Sequence, residues 1–220
     1  MTALLFDLDG TIADSVPVII ETAIKTCKKF DVDITEKDIA ELIGIPLLKQ
    51  GEKFLGAERA QEYYDAYQDT FLHLQEDCIQ PFEGMRELLA SCKRLGAKVG
   101  IVTSKGQEGT AFSLKCLKID EYIDAVVHAH SEAGHKPDAG PALKALEMMD
   151  EKAQNSMLIG DSVFDIRCGK NAGALTCAVL WGAGERGELL AEHPDYAAES
   201  IPELKDILTK YIFVQRSKEA

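Results

Sequence analysis

Ala3-Leu4-Leu5-Phe6-Asp7-Leu8-Asp9-Gly10-Thr11 decides the reading of this chain. Four apolar residues stop abruptly at an acidic, glycine-containing turn, and a short apolar run bounded in this way predicts a strand buried on both faces. Asp7 and Asp9 then stand at the strand's carboxyl end. Side chains alternate along a strand, so a spacing of two predicts that both carboxylates set out from one side before Gly10 diverts the chain. Gly10-Thr11 lets the backbone come close to a ligand.

Outward from this stretch the pattern changes twice. From about Pro17 to Leu74 it is helical: Val18, Ile19, Ala23 and Cys27 mark one amphipathic segment, and Ala60, Tyr63, Tyr64, Tyr67 and Phe71 mark another. The aromatic stripe reads as helix packing. Thr35 with Asp38 three residues on resembles a capping box that opens a further helix, and Gly44-Ile45-Pro46 reads as a break between helices. After Pro81, helices alternate with strands at about 97–102, 123–127, 156–159 and 174–180, each ending in polar residues. Such alternation predicts a parallel sheet with right-handed crossovers, hence a doubly wound, Rossmann-like α/β core. The expected organisation is a core of residues 1–14 and 80–220 with a small all-helical domain, residues 15–79, inserted after the first strand.

Composition narrows the partners. The chain has 220 residues, 24 basic and 37 acidic, for a formal net charge of −13. That balance excludes long-range attraction to nucleic acid or an anionic membrane, and no apolar run approaches the ~18 residues that span a bilayer. Six cysteines without a CxxC pair, and no basic-then-apolar leader, predict a reducing cytoplasm. The expected state is a monomer or homodimer. The segment from Arg216 to Ala220 reads as a frayed tail.

Doubly wound sheets bind ligands beyond the carboxyl ends of their strands. This sequence puts Asp7, Asp9, Thr103, Lys136 and Asp161 there. Asp161 and Asp165 are four apart at a helix start and so share a face, which predicts that four carboxylates converge. Four negative charges in a cleft are costly without a cation. Mg²⁺ suits an all-oxygen donor set; with Lys136 it returns three charges, and a proton on Asp9 returns the fourth. Taken singly, Thr103 reads as a strand-end turn residue and Lys136 as a solvated lysine. Lys105 could reach a substrate or sit on the next helix, and reads as a surface residue there; His128, His130 and His135 read as loop chemistry.

Asp7-Leu8-Asp9-Gly10-Thr11, Thr103, Lys136 in His135-Lys136-Pro137-Asp138, and Gly160-Asp161-Ser162-Val163-Phe164-Asp165 together resemble the four ordered motifs of the haloacid dehalogenase superfamily. The helical insert resembles its type 1 cap. Trp181-Gly182-Ala183-Gly184 with Asp195-Tyr196 is similar to the tail of its phosphoglycolate phosphatase-like branch. The resemblance implies a phosphatase for a small phosphorylated metabolite: Asp7 attacks phosphorus to form an aspartyl-phosphate, and Asp9 protonates the leaving oxygen and then deprotonates water. It also implies that Asp7, the backbone carbonyl of Asp9, Asp161 and Asp165 hold Mg²⁺. Thr103 and Lys136 would hold the phosphoryl oxygens, helped by backbone N–H groups around Gly10 and Ser104. Thr11 looks like the phosphatase version of the first motif, and Gly44 and Pro46 would reach the leaving group from the cap. An acidic residue at Asp9 disfavours the superfamily's dehalogenases and phosphonatases. The alternatives are a sugar phosphomutase of the same superfamily and a phosphoacceptor module without turnover.

Overall fold

The computed structural model describes residues 2–74 and 79–219. The first motif strand is β1 (Ala3–Phe6), every residue of it buried. A two-residue strand, β2 (Ala13–Asp14), leads into the helical insert: α1 (Val16–Lys28), α2 (Glu36–Ala40), α3 (Leu47–Leu55) and α4 (Ala60–Leu74). The chain returns through β3 (Gln80–Pro81), which pairs antiparallel with β2, so the two crossings between insert and core are bonded to each other. The remainder runs α5 (Met85–Arg94), β4 (Lys98–Val102), α6 (Gln107–Leu117), β5 (Ala125–Val127), α7 (Gly140–Met148) and β6 (Ser156–Gly160). It ends with α8 (Val163–Ala172), β7 (Leu175–Val179), α9 (Arg186–Ala191), β8 (Tyr196–Ala198) and α10 (Ile201–Glu219).

The large sheet has the order β5-β4-β1-β6-β7-β8 with every pairing parallel. Counted in chain order its strands run 3-2-1-4-5-6, the doubly wound order, with the switch point between β1 and β6. Asp7 follows β1 and Asp161 follows β6, so the two acidic motifs flank that crevice. Leu4 and Phe6 point into the cluster that continues to the insert, while Ala3 and Leu5 point into a second cluster with Val102, Ala142 and Leu146. The alternation explains why the strand is apolar throughout.

The insert forms for local reasons. Pro17 stands in the first turn of α1, where its missing N–H costs nothing. Thr35 and Asp38 form the expected capping box at α2, with Asp38 N–H donating to Thr35 Oγ1 at 3.3 Å and Thr35 N–H to Asp38 Oδ2 at 2.8 Å. The stripe of α4 packs as expected: Tyr63, Tyr67 and Phe71 are buried, with successive ring centroids 6.0 and 5.8 Å apart. No described helix is long and apolar enough to cross a membrane. One expectation fails here for the described residues: the chain from Arg216 continues α10 through Glu219, behind Tyr211, Ile212 and Gln215, which bury a helical face against the core, and Ala220 lies outside the described residues.

Candidate active site

Asp7 is the centre of the site. Its N–H donates to the Ile159 carbonyl (2.9 Å), which extends the β1–β6 ladder by one residue and fixes the carboxylate over the crevice. Lys136 Nζ lies 2.8 Å from Asp7 Oδ1 and 2.6 Å from Asp165 Oδ1, all three side chains being buried. Asp165 Oδ2 is occupied on its other side by the capping box of α8, accepting from Ser162 N–H (3.0 Å) and Ser162 Oγ (2.5 Å). Asp165 therefore caps its own helix while its second oxygen faces the crevice. Asp161 is not a cap, since Ser162 holds that position.

Asp161 is gripped from both sides. Thr11 Oγ1 donates to Oδ1 at 3.0 Å and the Ala183 N–H to Oδ2 at 2.7 Å. A Cβ at Gly10, whose φ is +78°, or at Gly182 would collide with its carboxylate. The Trp181 indole N–H donates to the Thr11 carbonyl (3.3 Å) and ties the two gripping loops together. The Trp181–Gly184 stretch thus has a positional function that its sequence did not disclose.

Asp7, Asp161 and Asp165 each offer an oxygen within 4.8 Å of the others, among the described residues the one group of this kind. Asp9 does not join them, contrary to the expected convergence of four carboxylates. The turn that receives Ile12 and Ala13 N–H on the Leu8 carbonyl carries Asp9 away. Its carboxylate accepts instead from Ser15 Oγ (2.7 Å) and from Lys105 Nζ (3.0 and 3.1 Å). Lys105 is accordingly a site residue and not a surface one, with its side chain only 12% exposed.

Charge decides what the three carboxylates can hold. Burial holds the Asp7 carboxyl well above the ordinary range; Lys136 opposes this, and the Asp165 and Asp161 charges reinforce it. Burial, then the Asp165 charge, pushes Asp161 up to about 7. Burial works against the charge on Lys136, but Asp165 and Asp7 overcome it and hold its pKa above that of an ordinary lysine. With all three carboxylates ionised, one ammonium leaves two negative charges uncompensated. A divalent cation with oxygen ligands would neutralise them, and the rigid all-carboxylate set fits such an ion. The histidines offer no comparable set: His128 Nδ1 accepts from the His130 N–H (3.2 Å), a contact internal to the loop.

Above Asp7 lies a cavity of about 70 Å³, room for roughly five waters. Asp7, Asp9, Thr103, Ser104, Lys105 and Gly106 form its core side, and Ile19, Ile43, Gly44, Ile45, Leu47, Gln50, Tyr67, Gln68 and Phe71 its cap side. Gly44 is therefore where the sequence put it. Pro46 begins α3 and does not line the cavity, and Gly10 and Thr11 are turned to Asp161 instead. Thr103 Oγ1 accepts from the Lys105 N–H (3.1 Å), which leaves its own hydrogen to donate. Ser104 Oγ is buried with no protein partner.

A doubly wound α/β protein with a capped acidic crevice is the class that fold and site define. Residues 4–179 match the family model of haloacid dehalogenase-like hydrolases, and the chain belongs to that family. It is 31% identical over 211 residues to pyrophosphatase PpaX of Bacillus mycoides, a match covering 96% of this chain and 98% of the relative. Among solved structures it resembles a predicted phosphatase from Clostridium acetobutylicum (TM-score 0.85, 25% identity, 95% and 98% of the two chains). A hydrolase from Pseudomonas syringae is similar to the same degree (TM-score 0.85, 25% identity, 96% and 99%). The protein is a hydrolase of the phosphatase type.

Proposed function

We propose that this chain is a Mg²⁺-dependent phosphatase that works through an aspartyl-phosphate on Asp7, with pyrophosphate as its leading candidate substrate. The observation that carries this reading is the placement of the Asp7 carboxylate, held by Lys136 on the floor of the cavity between core and cap, with Asp9 on the same wall. The name of the Bacillus relative suggests pyrophosphate.

Asp7 would attack phosphorus while the bond to the leaving oxygen breaks and Asp9 gives that oxygen its proton. Water would then attack the phosphorus of the aspartyl-phosphate, return its proton to Asp9, and release phosphate with Asp7 restored. Asp7, Asp161 and Asp165, with the Asp9 carbonyl, would hold Mg²⁺, which supplies charge neutralisation for the phosphoryl oxygens. Lys136 would contribute a fixed positive charge to the same oxygens, joined by the Thr103 hydroxyl and the unpartnered Ser104 Oγ. Residues 15–79 would serve as the cap that excludes bulk water, with Gly44 at the leaving-group end.

The test is phosphate release from pyrophosphate, phosphoglycolate, sugar phosphates and nucleoside monophosphates, with Mg²⁺ or EDTA. Release that needs Mg²⁺ and falls by about 10³-fold or more in Asp7→Asn supports the reading. Isomerisation of a sugar phosphate without release would replace it with a mutase, and a lasting aspartyl-phosphate without turnover would replace it with a phosphoacceptor.

A further inference from the structure

Lys105 has no place in the chemistry outlined above, yet its position is built with care. Its Nζ lies 3.0 and 3.1 Å from the two oxygens of Asp9 and 4.5 Å from the centroid of Phe71 on α4, so it bridges the core's acid and an aromatic ring of the cap. Its stem runs along the first turn of α6, where a Cβ at Gly109 would stand 3.1 Å from Lys105 Cε and 3.3 Å from Cγ. A glycine inside a helix is unfavourable by about 1 kcal/mol relative to alanine; here it leaves the stem its path. Of the residues lining the cavity, Lys105 is the one cationic side chain.

An ammonium group has three hydrogens. Asp9 takes up two, and the ring face of Phe71 is a partner that an anionic oxygen readily displaces. Asp9 also keeps its bond from Ser15 Oγ (2.7 Å), so it stays oriented when Lys105 turns to a ligand. The remaining cap wall is apolar or aromatic apart from Gln50 and Gln68, and none of it offers a charge to the leaving part of a substrate.

We infer that Lys105 is a specificity-determining residue that selects substrates whose leaving part carries an anionic oxygen group, either a second phosphoryl or a carboxylate. The inference rests on the phosphatase reading and says which small phosphates that site prefers. A neutral leaving group would leave the ammonium with Asp9 and Phe71 and gain nothing from it. An anionic one gains a charge-assisted hydrogen bond from an ammonium whose side chain is only 12% exposed.

The experiment measures kcat and KM for pyrophosphate, 2-phosphoglycolate and phenyl phosphate with wild type, Lys105→Met and Lys105→Arg. Because Lys105 touches Asp9, the methionine variant slows all three substrates. The expected result is that it lowers kcat/KM for an anionic substrate by at least about tenfold more than for phenyl phosphate. The extra loss falls on KM, and Lys105→Arg restores most of it. An extra loss confined to pyrophosphate identifies a second phosphoryl as the group recognised, and one confined to phosphoglycolate identifies a carboxylate. Gly109→Ala, which crowds the stem and keeps the charge, is expected to shift the same ratio in the same direction by a smaller factor. Equal losses on all three substrates, or no loss, overturn the inference. If wild type hydrolyses none of them, the phosphatase reading fails separately. The same ratio is then read from equilibrium binding of pyrophosphate and phenyl phosphate to wild type and Lys105→Met, where an unchanged ratio again overturns the inference.

Discussion

Asp161 is the residue at which the charge of the site becomes measurable. Its folded pKa is raised to about 7 from an ordinary value of 3.8, by burial first and by the Asp165 charge second. A raised carboxylate pKa means that the folded state holds the proton more tightly than the unfolded one. Its contribution to stability is fully present below pH 3.8 and is lost as pH rises through about 7. Asp7, shifted in the same direction, adds to the effect. In EDTA, urea unfolding between pH 4 and 8 is therefore expected to show these two groups lowering stability as pH rises, by on the order of 4 kcal/mol for Asp161. Mg²⁺ binds the ionised carboxylates, so the gain it gives should grow with pH, reaching about 2.7 kcal/mol at a hundredfold excess over Kd. A pH profile identical with and without Mg²⁺ would remove the metal from this site. Lys136→Met is expected to destabilise the metal-free protein by about 3–5 kcal/mol at pH 8, because it strands buried carboxylates; denaturant midpoints measure it. The sequence disclosed Asp7 and Asp161 through their places after strands and Lys136 through the order of the motifs, but not the company of Asp9. A spacing of two forecasts one side only while the chain stays extended, and the Leu8–Ala13 turn ends that at once. Lys105 was illegible for another reason: its pairing with Asp9 spans 96 residues and its ring contact comes from the insert.

Two helices open with the same reciprocal box and are expected to respond differently to its loss. Thr35 caps α2 on an exposed part of the insert, and Thr35→Ala should cost about 1 kcal/mol with activity unchanged. Ser162 caps α8 in the crevice, and Ser162→Ala removes two bonds, the Asp165 N–H donation to Ser162 Oγ (3.3 Å) and the Ser162 Oγ donation to Asp165 Oδ2 (2.5 Å), leaving that oxygen only the backbone N–H of residue 162. The cap term is again about 1 kcal/mol, but Asp165 also loses its orientation toward Lys136, so phosphate release should fall along with stability. Parallel thermal melts and assays of the two variants separate a cap from a cap that also aims a carboxylate; equal activity losses, or none in Ser162→Ala, would refute the distinction. At this scale the sequence was legible wherever an element was long enough to show a period. The strands β1, β4, β6 and β7 and the helices α1, α4 and α5 carry four or more patterned residues each. The pairs β2 and β3, two residues apiece, and β8, three residues, are too short for any period and exist because the sheet or the opposing crossing supplies their partners. The charged end of α10 misled for the converse reason. Its helix is held by Tyr211, Ile212 and Gln215, upstream of the polar residues that suggested fraying.

Whether insert and core fold as one unit follows from how their apolar clusters join. A single buried cluster contains Leu4, Phe6 and Ile159 of the sheet together with Ile19, Ile43, Tyr67 and Phe71 of the insert. The crossings are clamped by the β2–β3 pairing and by Phe82 N–H to the Ile12 carbonyl (3.0 Å). An insert tied only by a flexible linker would melt independently, since its helices are short and isolated helices of ~12–15 residues are marginal in water. Continuity of the cluster makes its unfolding cost core burial as well. The expectation is one cooperative transition. Trp181, the chain's single tryptophan, packs edge-on against Phe82 with centroids 6.1 Å apart and reports on the core side of the seam. Far-UV ellipticity reports on all helices, those of the insert included. In urea the two signals should share one midpoint and one slope. Phe71→Ala, which empties a buried ring from the insert's wall, should move both midpoints together by an amount matching ~3–5 kcal/mol. An ellipticity change that precedes the Trp181 transition, or that alone responds to Phe71→Ala, would mean that the insert unfolds by itself and that its closure over the cavity is held by the ligand and not by the fold.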